Sequence, residues 1–328
     1  MQISVIGGSG FVGTRLVTRL LSSGLSVKIV DKKLSQKYPD LCVQADVRHL
    51  DSLIQALSGC DVVINLAAEH RDDVTPVSLY DEVNVSGAEN VCIACEKCGI
   101  KSIIFTSSVA VYGFAPIGTD ETGKINYFNN YGRTKWLAEG KYRDWLAKNT
   151  VDRSLTIIRP TVIFGEQNRG NVYNLLRQIA GGKFPMIGNG KNIKSMAYVE
   201  NVAAFIEYNI HNKPGEYLYN YIDKPDFDMN TLVSEVNRIL GRSTRLIHWP
   251  YFIGYCGGLF FDILACVTRK KLVISSIRVK KFCANTLFEA KNISKTDFRP
   301  PVDLVTALAN TVKYEFIDKI DSHVFYSE

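Results

Sequence analysis

The sequence predicts an α/β protein: a doubly wound parallel sheet with a second, smaller α/β lobe. Three features carry this. Short β-branched apolar runs alternate with helical patterns through the first half of the chain. Three glycines sit where the first run meets the first helix, and the alternation loosens after Gly165. The 328 residues suffice for two packed units, expected at 1–165 and 166–328, with some of the later chain crossing back to the first unit.

The elements follow in order. "QISVI" at 2–6 is a short apolar run, hence a strand. "GGSGFVGTRLVTRLLSSG" is a glycine turn and an amphipathic helix. "SVKIVD" is the second strand, and "CVQAD", "DVVINLAA" and "KSIIFTSS" are three more, separated by helical patterns. Gly7 permits the tight turn, Gly10 lets backbone approach a pyrophosphate, and Gly13 permits close helix–strand packing. The helix N-terminus then faces the phosphates. Asp31, ending the second strand, suits a ribose 2′-hydroxyl and repels a 2′-phosphate, so NAD is expected over NADP; Lys32 and Lys33 soften that preference. Strand before, helix after and the acid together make this a Rossmann-type dinucleotide site.

The bulk numbers exclude other classes. The chain is 46% hydrophobic and 22% charged, which is ordinary for a globular protein. "MQISVIGG" lacks a basic, cleavable leader, and no run of about 18 apolar residues occurs, so a cytoplasmic setting is expected. Eight cysteines in no scaffold spacing fit a reducing compartment. The net charge is +6, and the stretch 269–281 alone holds Arg269, Lys270, Lys271, Arg278, Lys280 and Lys281 without an acid. The basicity is local, which argues against a nucleic-acid binder.

"YGRTK" at 131–135 opens a helical pattern, placing Tyr131 and Lys135 at i and i+4 on one face. A free tyrosine titrates near pH ~10, and a neighbouring ammonium favours the phenolate. The pair is expected to take a proton from an alcohol near neutral pH. Ser108 follows "KSIIFTSS" at the C-terminal edge of the sheet, where open α/β sheets bind ligands; its neighbour Ser107 competes for the same role.

These residues, with "GGSGFVG", "DVR" at 46–48, "NLAA" at 65–68, "VNVSGAENV" at 83–91, "SSVAVYG" at 107–113 and "IIRPTVIFG" at 157–165, resemble the extended short-chain dehydrogenase/reductases of the sugar epimerase/dehydratase type. The resemblance runs nearly end to end. It implies a catalytic triad of Ser108, Tyr131 and Lys135. It places Phe11 and Val12 with the glycines at the NAD, Asp46 and Val47 beside the adenine, and Ala67, Asn84 and the backbone near Pro160 on the nicotinamide side. It also implies a homodimer. Asn65 departs from the histidine that many members carry, a change of local hydrogen bonding. A 4,6-dehydratase is disfavoured, because its acid pair beside the active-site hydroxyl is Val109 and Ala110 here.

In the second lobe, the resemblance puts Asn174 and Lys194 at a sugar diphosphate, with Arg278, Lys280 or Lys281 as a second cation and Thr286 beside the N-acetyl group. "LAAEHRDDV" at 66–74, "EQNRGNVYNLL" at 166–176, "KSMAYV" at 194–199 and "SSIRVKKFCANTLF" at 275–288 resemble bacterial 4-epimerases acting on N-acetylglucosamine linked through diphosphate to undecaprenol. That subgroup supplies the N-acetylgalactosamine form for O-antigen assembly. A polyprenyl substrate gives a reason for the oily stretch 249–267 and the cations after it: peripheral contact with an anionic membrane surface, on the cytoplasmic face of the inner membrane. The competing reading is a helix packed on the lobe. Alternatives are an epimerase or a 4-keto-sugar reductase acting on a nucleotide sugar, and, less favoured, a non-catalytic NAD sensor.

Three further features are read as structural. "CIACEKC" at 92–98 lies inside a helical pattern with no suitable fourth ligand, so buried thiols and no metal are expected. His70 begins a polar loop over the site, with contact to the substrate as the alternative reading. Trp136 and Trp145 read as packing on the catalytic helix.

Overall fold

The computed structural model describes residues 1–71, 74–182, 184–243, 247–268, 276–318, 320 and 323–326, without the side chains of 265–267, 278 and 281. The first half builds as an alternation, broken once where a loop with a single turn at Pro39–Leu41, and not the expected helix, joins the second strand to the third: β1 (Gln2–Ile6), α1 (Phe11–Ser22), β2 (Ser26–Asp31), β3 (Cys42–Gln44), α2 (Leu50–Leu57), β4 (Val62–Asn65), α3 (Gly87–Lys97), β5 (Ser102–Thr106), α4 (Asn130–Ala147) and β6 (Ser154–Pro160). Then come β7 (Val162–Phe164), α5 (Asn171–Ala180), β8 (Met186–Ile187), β9 (Ile193–Tyr198), α6 (Val199–Tyr208) and β10 (Gly215–Tyr221). The chain finishes with β11 (Asp223–Asp228), α7 (Met229–Ile239), β12 (His248–Trp249), α8 (Tyr251–Thr268), α9 (Ser276–Cys283) and α10 (Leu304–Val312).

The main sheet has seven strands in the order β10-β6-β5-β4-β1-β2-β3, and every pairing is parallel. Such a sheet needs both faces covered, which is why its strands are continuous apolar runs. The pleat divides β5 cleanly. Ile103 and Phe105 face a core shared with α2, α3 and α4. Ile104 faces the opposite core, shared with α1 and α6. The cysteines Cys92 and Cys95 sit in the first of these cores, and burial pushes both thiols up.

The second lobe holds a three-stranded sheet, β11-β9-β7, packed with α5, α7 and α10 around Phe164, Leu176, Leu232 and Leu308. The chain after residue 166 does not stay there. Strand β10 pairs with β6 from Gly215↔Ser154 to Tyr221↔Pro160, so it closes one edge of the main sheet. Helix α6 packs on α1 in the same unit.

The oily stretch forms α8, whose apolar side chains are largely in contact with water: Phe252 is 67% exposed, Phe260 63% and Ile263 65%. Gly254 lets α8 lie against β8, since a Cβ there would fall 2.6 Å from the Ile187 side chain. Asp262, the acid in the oily stretch, accepts from Ser276 N at 3.1 Å and so caps α9. Among the described residues, no helix is long and apolar enough to cross a membrane.

Candidate active site and its relatives

One cavity of about 690 Å³ opens along the C-terminal ends of the main-sheet strands and reaches into the second lobe. Its floor is the glycine turn. Gly7 has φ +78, and a Cβ there would lie 2.8 Å from Ala67 N; one on Gly13 would lie 2.4 Å from Gly7 O. Both contacts are with backbone that cannot yield, so only glycine lets the turn pass this close to the chain after β4 and α1 start this close to β1. The start of α1 then faces the cavity through Gly10, Phe11 and Val12, and a helix start of this kind can meet an anion with its first amides.

Asp31 stands at the cavity edge. Its carboxylate accepts from Ser9 N and Lys33 N, both at 3.1 Å, which fixes its direction. Asp46 and Val47 line the same end. Arg48 grips Asp46, Nη2 to Oδ2 at 2.7 Å, and holds that carboxyl below the usual range. A phosphate-facing helix start, a glycine-only turn and an oriented acid at the second strand together fit a dinucleotide.

Ser108, Tyr131 and Lys135 all line the cavity near Ala67 and Pro160. Asn129 caps α4 by accepting from Gly132 N at 2.9 Å, which starts the helix in the register that brings Tyr131 and Lys135 to the end of β5. The two neighbouring serines separate. Ser107 is buried and its hydroxyl donates to Glu139 Oε1 at 2.6 Å. Ser108 stays on the cavity, accepting from Ala110 N at 3.1 Å and hydrogen-bonded to Tyr131.

The expected lowering of Tyr131 by its lysine is not what the structure contains. Burial pushes Tyr131 up to about 12, opposed only by the hydrogen bond with Ser108. Burial also brings Lys135 down to about 7, opposed by the charge of Glu139. The ammonium donates to Thr106 O at 2.7 Å and lies 4.7 Å from the Phe105 ring centroid, against 5.9 Å for the Tyr131 ring. The lysine's hydrogen bond is directed at the Thr106 carbonyl and not at the phenol.

Beneath the site runs a buried polar chain that the sequence reading missed. Arg159 donates to Glu139 through Nε at 2.8 Å and Nη2 at 2.5 Å, and through Nη1 to Tyr112 Oη at 2.6 Å. Tyr112 then donates to Asn220 Oδ1 at 2.8 Å. One signal was present: an arginine inside the apolar run "TIIRP" must be paired if the strand is buried.

Several expected site residues stand elsewhere. Asn84 does not line the cavity; its amide accepts from Glu69 N at 2.8 Å and donates to Glu69 O and Thr134 Oγ1, both at 2.9 Å. It ties the Glu69 loop to α4. Asn65 does similar work at 2.6 Å from Tyr142 Oη and 3.0 Å from Ala67 N. Thr286 lines the cavity, beside Ser195 and Phe288. Asn174 and Lys194 do not. Lys194 Nζ donates to Ala284 O at 2.6 Å, pinning the segment that presents Thr286, and burial brings the amine down to about 8. The Arg278 side chain lies outside the described ones. Unforeseen cavity residues are Asn168, Phe325 and Tyr326, and His70 also reaches the lining.

Residues 3–220 match the NAD dependent epimerase/dehydratase family. The chain belongs to this family. Among its relatives, the N-acetyl-alpha-D-glucosaminyl-diphospho-ditrans,octacis-undecaprenol 4-epimerase of Escherichia coli O157:H7 is 52% identical over 329 residues, covering 100% of this chain and 99% of that one. The human sterol-4-alpha-carboxylate 3-dehydrogenase, decarboxylating, is 32% identical over 215 residues, covering 61% of this chain and 55% of its own. The UDP-N-acetylglucosamine 4-epimerase of Bacillus cereus superposes with a TM-score of 0.77 at 17% identity, over 99% of this chain and all of that one. The UDP-glucose 4-epimerase of Thermus thermophilus, solved with NAD, gives 0.73 at 19% identity, over 98% of this chain and all of that one. These two share the fold of the family.

Proposed function

We propose that this chain is an NAD-dependent 4-epimerase that interconverts N-acetylglucosamine and N-acetylgalactosamine on an undecaprenyl-diphosphate carrier. The observation that carries this reading is the full-length likeness to the E. coli O157:H7 epimerase. The cavity supports the reaction class, since it sets a dinucleotide cradle beside two hydroxyls and a lysine.

Bound NAD supplies a reversible hydride acceptor for C4 of the sugar. The protein handles the proton and the geometry. Tyr131 is the group placed to exchange a proton with the C4 oxygen, accepting it as phenolate and returning it as phenol. Ser108 donates a hydrogen bond to that same oxygen. Lys135, held to Thr106 O, orients the site from below. Thr286, a small residue, leaves room for the N-acetyl group.

Peripheral membrane contact belongs to the same reading, at the cytoplasmic face of the inner membrane. Trp249, Phe252, Phe260 and Ile263 present exposed apolar surface, and Arg269, Lys270 and Lys271 follow α8 in sequence. Aromatic side chains suit the headgroup level and the cations suit anionic lipid.

The test is a conversion assay without added cofactor. Purified protein is incubated with N-acetylglucosamine-diphosphate-undecaprenol and, separately, with uridine-diphosphate-N-acetylglucosamine, and the released sugars are resolved. Formation of the galacto isomer from the lipid-linked sugar is expected. Conversion of the nucleotide sugar alone overturns the carrier assignment, and conversion of neither overturns the epimerase.

A further inference from the structure

Phe325 and Tyr326 form part of the cavity wall. Phe325 N donates to Gln167 O at 2.8 Å, and Phe325 O accepts from Arg169 N at 2.7 Å, so Phe325 bridges Asn168 as a one-residue parallel pair. Its ring centroid is 5.9 Å from that of Phe11, the first residue of α1. Phe11, Asn168, Phe325 and Tyr326 all line the cavity.

The loop that receives the tail is fixed from two other directions. Glu315, with a side chain only 3% exposed, accepts from Gln167 N and from Arg169 Nη1, each at 2.7 Å. Arg15 of α1 donates to Gln167 Oε1 at 3.0 Å and to Glu166 O at 3.2 Å. Gln167 has φ +72, a backbone state that a residue with a side chain holds only where its surroundings demand it. Its N–H is given to Glu315 and its C=O to the tail. Three distant parts of the chain therefore meet beside the start of α1, the end of the cradle that faces phosphate.

We propose that residues 323–326 act as a retaining strap over the bound dinucleotide, slowing its release during the catalytic cycle. The inference rests on the proposed function. A reaction that oxidises and then re-reduces the same carbon leaves the dinucleotide unchanged overall. Retention therefore costs such an enzyme nothing, whereas release between the two halves strands an oxidised sugar. An enzyme that consumes its cofactor needs the opposite.

The test times dinucleotide release. The intact chain, a chain ended at Asp318, and Phe325→Ala are each loaded with NADH, and the fluorescence decay is followed after excess NAD is added. Release from the shortened chain and from Phe325→Ala is expected to be faster by about tenfold or more, as an aromatic contact over the ligand is lost. Equal release rates in variants that keep the native circular dichroism spectrum overturn the strap. If the shortened chain fails to fold, Phe325→Ala and Tyr326→Ala decide, the latter at a residue 73% exposed. An intact chain that binds neither NAD nor NADH refutes the functional reading itself, a different result from equal release.

Discussion

At Lys135 and Tyr131, burial acts in opposite senses on two groups that must exchange charge with their surroundings. Lys135 has a folded value of about 7 against an ordinary value near 10.5. The unfolded chain then holds more protons between those limits, so this group makes the fold more stable as pH rises through that window. Lys194, at about 8, adds in the same direction. The urea midpoint of the unliganded protein is expected to climb from about pH 7 to 9, and Lys135→Met to flatten the climb; an unchanged slope in that variant counts against the buried ammonium. Tyr131→Phe is expected to lower turnover by ~10²–10⁴-fold while dinucleotide binding survives, measured as bound NAD after gel filtration. Asp31→Ala is expected to weaken NAD by about 10–100-fold and to narrow its advantage over NADP, read by titration calorimetry. The Tyr131–Lys135 pair and the glycines were readable in sequence because each depends on spacing within one or two turns of chain. Asn84 and Lys194 were not. Their partners, Glu69, Thr134 and Ala284, lie 15, 50 and 90 positions away, and no local pattern shows which polar group a folded neighbour will claim.

Among the elements, α4 and β6 share the buried Glu139–Arg159 pair, with side chains 0% and 2% exposed. Arg159→Met removes one of the two guanidinium groups paired with Glu139, leaving Arg143 Nη1 at 3.1 Å, and takes a donor away from Tyr112 Oη. A loss of about 1–3 kcal/mol is expected in denaturant unfolding, the usual consequence of leaving buried hydrogen-bond partners unsatisfied. Helix α8 makes the opposite kind of demand, since it presents apolar surface that stands exposed among the described residues. Phe252→Ser with Phe260→Ser is expected to abolish flotation with anionic liposomes and leave the melting temperature within a few degrees, because both rings are exposed. Flotation that persists in the double variant removes α8 from the lipid contact. The glycines and acid of this helix look disruptive in sequence, yet Gly254 makes room for Ile187 and Asp262 caps α9. Those roles need the folded neighbours to be known, which is why the sequence shows only an oily segment there.

Across the whole molecule, the seven-stranded sheet was foreshadowed by its first five strands, which the sequence shows as short apolar runs; β6 lies in a stretch read for its family motif and not as a strand. The seventh, β10, was not foreshadowed, because it is separated from its neighbour β6 by most of the second lobe's first sheet and helices. The same remoteness hid the tail at Phe325, whose backbone partner Gln167 is 158 positions earlier. A fragment ended at Gly165 is expected to associate on gel filtration, since it leaves the edge of the fully buried strand β6 unpaired. A monomeric, cooperatively melting fragment contradicts that.

The late arrival of β10 also bears on how the protein is made. Tyr221 leaves the ribosome roughly 60 residues after Pro160, which at ~5–20 residues per second is a wait of about 3–12 s. Through that interval the nascent sheet carries a naked apolar border that only its own unsynthesised continuation can cover. Slow codons in that stretch, or a missing chaperone, are expected to lower the yield of folded chains, read as the soluble fraction after expression.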